Sequence, residues 1–144
     1  MDTSDIVKLF FEELGSDRVD SNVNSADRIV SSAIAYVESH AALAAGRRDG
    51  AKTTRAKRRL TVSRFNDLLT QFEAFWSTVG PLSVSTDVIA IGSQLAHRHS
   101  LSGSDAIHLA SAMQLRQTTP ESINFSVDDS RLAAAARSEG FVVV

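Results

Sequence analysis

The chain has 144 residues, 43% apolar and 22% charged, enough for one domain with a buried core. Fifteen basic and seventeen acidic residues leave a net charge of −2, so the molecule as a whole is no polycation, and any nucleic-acid role must come from a local patch. Cysteine is absent, which excludes disulfides and thiolate metal sites; no apolar run reaches membrane-spanning length and the N-terminus lacks a signal-peptide pattern, so the expectation is a soluble, cytoplasmic protein.

In chain order, Asp2-Thr3-Ser4 precede the run Ile6, Val7, Leu9, Phe10, Phe11. This predicts a short helix capped by Thr3 or Ser4 and stopped by Gly15. The stretch from Asp17 to Asn24 is polar and reads as irregular. "RIVSSAI" carries a β-branched run that suits a buried strand, and "AIAYVESHAALAAGRRDG" is strongly helical up to Gly50. "TVSRFNDLLTQFEAFWSTVG" shows apolar residues at spacings of three and four, from Phe65 to Val79, and is the clearest amphipathic helix. "PLSVS" reads as a turn and a short strand. Thr86 is expected to cap the next helix, and "SGSDAIHLASAMQLR" is another capped helix. "INFSV" alternates like a strand, "DDSRLAAAARSEG" is a helix stopped by Gly140, and "FVVV" is a terminal strand. Helices alternating with short apolar strands predict an α/β fold with a parallel sheet covered on both faces. Sites in such folds form beyond the carboxyl ends of the strands.

Acidic residues stand at those joints. Asp2 precedes the first helix, Asp105 opens the helix after "LSGS", and Asp128 and Asp129 follow "INFSV". Glu38 lies about a turn into the helix after "RIVSS", with Ile34, Ala35, Ala41 and Ala42 as its helical neighbours. Capping alone accounts for Asp105 or Asp129 taken singly, and a solvated position accounts for Glu38. Taken together, converging carboxylates call for a divalent cation, and oxygen-only ligation suits Mg²⁺ or Mn²⁺. His97 and His99 fit a solvated helix end, and His108 fits packing beside Asp105. Phe65, Phe72 and Trp76 form a stripe suited to core, a subunit interface or a partner helix. Seven basic residues, Arg47, Arg48, Lys52, Arg55, Lys57, Arg58 and Arg59, are opposed only by Asp49. They read either as a solvated connection or as a surface that tracks RNA phosphates.

Four stretches together resemble the motifs of the PIN-domain family, in that family's order and over essentially the whole chain. They are "DTSDIVKLFFEELGS", "SSAIAYVESHAALAAGRRDG", "LSGSDAIHLASAM" and "FSVDDSRLAAAARSEGF". The branch they resemble is the VapC-like toxins of type II toxin–antitoxin pairs. The resemblance implies one PIN-like domain over 1–144, a three-layer α/β/α sandwich, and a metal-dependent endoribonuclease cleaving single-stranded RNA regions. It implies an acidic quartet at Asp2, Glu38, Asp105 and Asp129, with Asp128 competing for the fourth place and Ser4 supporting the first acid. It also implies a VapB-like antitoxin as partner and a homodimer. Two departures stand out. Only Met1 precedes Asp2, so the first strand reads as truncated and four to six apolar residues are expected upstream. Val127 stands where Thr or Ser is common. A PIN-like module that binds RNA or protein without cutting, and a PIN nuclease of RNA processing without an antitoxin, are the alternatives.

Overall fold

A computed structural model of the chain describes residues 1–12, 14–49 and 60–144. The elements run α1 (Thr3–Lys8), α2 (Ser16–Ser25), β1 (Val30–Ser32), α3 (Ile34–Asp49), α4 (Val62–Trp76), β2 (Gly80–Leu82), α5 (Thr86–His99), α6 (Gly103–Thr118), β3 (Asn124–Phe125), α7 (Ser130–Ser138) and β4 (Val142–Val143). This is the α/β architecture expected, with helices dominating and the sheet reduced to short parallel pieces. β1 pairs with β2 in the register Val30 to Gly80, and β3 pairs with β4 in the register Asn124 to Val142.

The residues before α1 join the two pieces. The Met1 amino group donates to the Val30 carbonyl at 3.1 Å, and the Ser31 hydroxyl donates to the Met1 carbonyl at 2.8 Å. The Asp2 amide donates to the Ser126 carbonyl at 3.1 Å. Met1 and Asp2 therefore tie the β1 side to the β3 side, and this short extended stretch delivers Asp2 to the ends of both pieces.

Two apolar cores flank this arrangement. Ile6, Phe11, Ala35, Leu43, Leu68 and Phe72 gather α1, α3 and α4. Val88, Leu95, Leu109, Ala110, Phe125, Leu132 and Ala136 are among those gathering α5, α6, β3 and α7. Phe72 is fully buried, with Phe10 set edge-on to it at 5.7 Å and Trp76 tilted against it at 5.9 Å. The Phe65, Phe72 and Trp76 stripe thus serves the core.

Several local expectations change. The polar stretch from Asp17 to Asn24 is helical, not irregular, because one apolar residue, Val19, is fully buried and Arg18 anchors the helix to distant acceptors. Apolar periodicity could not reveal a helix held by one anchor and an ion pair. Gly15 does not stop the first helix. It precedes α2 at φ 93°, a left-handed value that suits glycine, while α1 ends at Lys8. The cap of α1 is Asp2 rather than Thr3 or Ser4, and that of α5 is Ser85 rather than Thr86. His99 is not solvated: it meets Glu139 at 2.7 Å, beside Arg98 at the same distance. No helix among the described residues is long and apolar enough to cross a membrane.

Candidate active site

One cleft of about 450 Å³ is lined by Asp2, Glu38, Asp105 and Asp129, together with Asp128. Thr3, Ser4, Lys8, Ser104 and His108 complete its polar lining. The four acids singled out in the sequence come from four separate elements and reach the same wall-to-wall space.

Asp2 is the deepest of them, 4% exposed. Its Oδ1 accepts from the Ser4 amide at 2.6 Å, the Ser4 hydroxyl at 2.7 Å and the Asp5 amide at 3.3 Å, so it caps α1 while Oδ2 takes none of these bonds. Burial pushes the Asp2 carboxyl above its usual range, against the opposing pull of the Ser4 hydroxyl and of His108. Ser4 thus bonds to Asp2 through both its amide and its hydroxyl.

Glu38 is half-buried. Its Oε2 accepts from the Thr3 hydroxyl at 2.5 Å and from His108 Nε2 at 2.9 Å. The His108 bond holds the carboxyl below its usual range, burial opposes it, and Thr3 adds to it. His108, three residues after Asp105 on α6, reaches across to Glu38 on α3, with its Nε2 also 3.0 Å from Thr3 Oγ1. Thr3 and His108 are the site residues that sequence reasoning did not single out. The signal was present in "DTS", which puts Thr3 at the start of α1, and in "SDAIH", which puts His108 three residues after Asp105 on α6, but nothing local showed that they meet.

Asp105 and Asp129 are held by their own helices. Asp105 Oδ2 accepts from the Ser102 hydroxyl at 2.7 Å, and the Asp105 amide donates back to Ser102 Oγ at 3.2 Å. Asp129 accepts from the Leu132 amide at 2.8 Å and caps α7. Asp128, the competitor for the fourth place, lines the same cleft but is paired with cations. It lies 2.5 Å from Lys8 Nζ and 3.7 Å from Arg18, whose other contacts are buried Asp5 at 2.8 Å and the Val144 carbonyl at 2.6 Å. Lys8 is itself buried and also donates to the Leu14 carbonyl at 2.8 Å. Val127 is buried in the core, and the neighbouring Ser126 hydroxyl donates to Asp5 at 2.6 Å. A hydroxyl is therefore present next to the position where the resemblance misses one.

The donor set is the one a hard divalent cation prefers: carboxylate oxygens, with a buried Asp2 whose charge is opposed by burial and whose Oδ2 is uncommitted. The spacing is open. Among the described residues, no three His, Asp or Glu side chains come close enough to share one ion. The walls carry the carboxylates without drawing them to a point.

Of the basic stretch, Arg47 and Arg48 lie in the last turn of α3, with the Arg47 guanidinium 5.4 Å from the Phe65 ring centre. Arg55, Arg58 and Arg59, with Lys52 and Lys57, lie outside the described residues.

Four acids from separate elements line one cleft of an α/β fold, and the chain belongs to the PIN-domain family. The family model, described as PIN domain, matches residues 1–136. The chain is 34% identical over 139 residues to Ribonuclease VapC45 of Mycobacterium tuberculosis (strain CDC 1551 / Oshkosh), covering 96% of this chain and 89% of that protein. It is equally similar, with the same coverage, to Ribonuclease VapC49 of Mycobacterium tuberculosis (strain ATCC 25618 / H37Rv).

Proposed function

We propose that this chain is a VapC-like endoribonuclease toxin, dependent on Mg²⁺ or Mn²⁺ and neutralised by a VapB-like antitoxin. The observation that carries the reading is the convergence of Asp2, Glu38, Asp105 and Asp129 on one cleft. The ribonuclease names of two relatives similar over nearly the full chain support it.

The reaction is phosphodiester hydrolysis in single-stranded RNA regions. A water oxygen bonds to phosphorus, the bond from phosphorus to the leaving ribose oxygen breaks, and that oxygen takes a proton. Asp2, Glu38 and Asp105 are the residues that would hold the cation, with Asp129 binding directly or through water. Such an ion supplies charge neutralisation at the phosphate and a bound water of lowered pKa. The protein's own part is positional. Ser4 fixes Asp2 through two bonds to one oxygen, leaving the other to face the cleft. Arg47 and Arg48, at the end of the helix that carries Glu38, offer cations to the RNA backbone, joined in this role by Arg55, Arg58 and Arg59. The antitoxin would cover the acid-lined cleft, and two copies of the chain would form the working dimer.

The test is cleavage of a mixed RNA pool by the purified chain with Mg²⁺, Mn²⁺ or chelator. Cleavage that needs the metal and falls by about tenfold or more in Asp105→Asn supports the assignment. Full metal-dependent cleavage by Asp105→Asn ends it. The open spacing of the carboxylates favours one second reading, a module that binds RNA or protein without cutting. RNA retention with no cleavage under any metal would select it. A PIN nuclease of RNA processing is separated from a toxin by growth: expression of a toxin arrests the host cell, and co-expression of its antitoxin restores growth.

A further inference from the structure

Glu38, Thr3 and His108 form a closed triangle drawn from α3, α1 and α6. Its sides are 2.5 Å from Thr3 Oγ1 to Glu38 Oε2, 2.9 Å from His108 Nε2 to the same oxygen, and 3.0 Å from His108 Nε2 to Thr3 Oγ1. One arrangement of protons satisfies it. The carboxylate only accepts, so the single Thr3 hydroxyl proton goes to Glu38, and Nε2 must carry a proton to meet both oxygens. Both bonds end on Oε2, and Oε1 takes neither.

Burial indicates which partner is the support. The His108 side chain is 3% exposed, against 32% for Glu38. Its helix neighbours Leu109, Ala110 and Ala112 are buried apolar residues, so packing alone would be served by an apolar side chain at 108. A buried imidazole is unfavourable unless its polar edge is used, and here that edge is turned to Glu38 and Thr3.

We propose that His108 and Thr3 are positioning residues for Glu38. They clamp Oε2, fix the carboxylate plane, and present Oε1 to the cation of the cleft. This rests on the reading of Glu38 as a metal ligand. It goes beyond that reading by explaining how a half-buried glutamate, roughly a turn into a helix, is held ready at the cleft. Ligands oriented by such outer partners typically lose about 10–100-fold in metal affinity when the partner is removed.

The experiment is calorimetric titration of the full chain with Mn²⁺, without RNA, alongside melting in chelator. His108→Leu and Thr3→Val are expected to weaken Mn²⁺ binding by about 10–100-fold. His108→Gln, whose amide donates from a place close to Nε2, and Thr3→Ser are expected to stay within about threefold of the wild type. Cleavage by His108→Leu should recover as Mn²⁺ is raised, which a merely structural defect would not allow. Wild-type affinity in folded His108→Leu and Thr3→Val overturns the clamp while leaving Glu38 as a ligand. Should His108→Leu fail to fold, the half-exposed Thr3 carries the test through Thr3→Val and Thr3→Ser. Unchanged Mn²⁺ binding in Glu38→Gln, or none in the wild type, overturns the ligand reading itself, and the clamp falls with it.

Discussion

The two walls of the cleft carry the same functional group on different supports. On the wall made by α1 and α3, the acids are buried or half-buried, and Glu38 leans on groups 35 and 70 residues away in the chain. On the wall made by α6 and α7, Asp105 and Asp129 are held within three residues of themselves, by Ser102 and by the Leu132 amide. The first wall is a product of tertiary packing, and Glu38 is tied there by side chains from other helices. The second wall consists of helix N-termini, where the positive end of each helix favours a carboxylate by roughly 0.3–1 kcal/mol. Its acids are placed by contacts within their own helix starts. The proposed cation would thus meet one wall tied by distant side chains and one wall of locally tied side chains.

The largest effect should come from the first wall. Asp2→Asn is expected to reduce metal-dependent cleavage by about 100-fold or more, beyond the ~10–100-fold that outer partners command. Stability should move the other way. The Asp2 carboxyl lies above its ordinary value of 3.8 in the folded state, so between those two values the fold binds more protons than the unfolded chain. Its stability contribution therefore falls as pH rises through that window, and at neutral pH the ionised group weighs against the metal-free fold. Asparagine keeps the acceptor oxygen that caps α1 and removes the charge. In chelator at pH 7, Asp2→Asn should melt no lower than the wild type. A fall of several degrees would mean that Asp2 is there for structure.

The opposite wall predicts a smaller loss. Asp105→Asn and Asp129→Asn should cut cleavage by about 10–100-fold with little change in melting, because each amide keeps its cap contact. Asp129→Ala adds the loss of the cap, about 1 kcal/mol, or roughly 3–4 °C for a chain of this size. Asp128→Asn reverses the balance between activity and stability. It should leave cleavage within about threefold, since its carboxylate is spent on Lys8. It should lower stability by about 1–2 kcal/mol, because buried Lys8 would exchange a carboxylate partner for a neutral amide oxygen. If Asp128→Asn abolished cleavage and Asp129→Asn did not, the two adjacent acids would exchange roles.

The same contrast explains what was legible in the sequence. The wall of local caps could be read directly: "SGSD" and "VDDSRLA" place an acid at a helix start, and the structure keeps both acids there. Asp2 and Glu38 could be named as acids at strand-to-helix joints and by family resemblance, and the structure brings both to the cleft. What holds them could not be read. The triangle of Thr3, Glu38 and His108 joins three elements, and no periodicity in any one of them encodes the meeting. The α2 helix escaped for a related reason: its support is one buried valine plus the reach of Arg18 to Asp5 and Val144. The α4 stripe was legible because its apolar spacing is itself the packing. Long-range polar contacts leave no such trace.

The smallest effect belongs to a second glutamate–histidine pair, which serves as the control. Glu139, 13% exposed, takes His99 Nε2 and Arg98 at 2.7 Å each, where the end of α7 meets the end of α5, and it is not among the residues that line the cleft. His99, more than Arg98, holds its carboxyl below the ordinary 4.5, with burial opposing. A depressed carboxyl gives stability that is complete above the ordinary value and is lost as pH falls through the folded one. Glu139→Gln should therefore destabilise the chain by about 1 kcal/mol at pH 7 and by progressively less below pH 4.5, while cleavage at pH 7 stays at the wild-type level. Melting curves from pH 3 to pH 7 for the variant and the wild type would converge at the acid end. If Glu139→Gln instead weakened Mn²⁺ binding as His108→Leu is expected to do, pairing with histidine would be a general support of this fold. The triangle on α3 would then lose its claim to a special relation with the cleft.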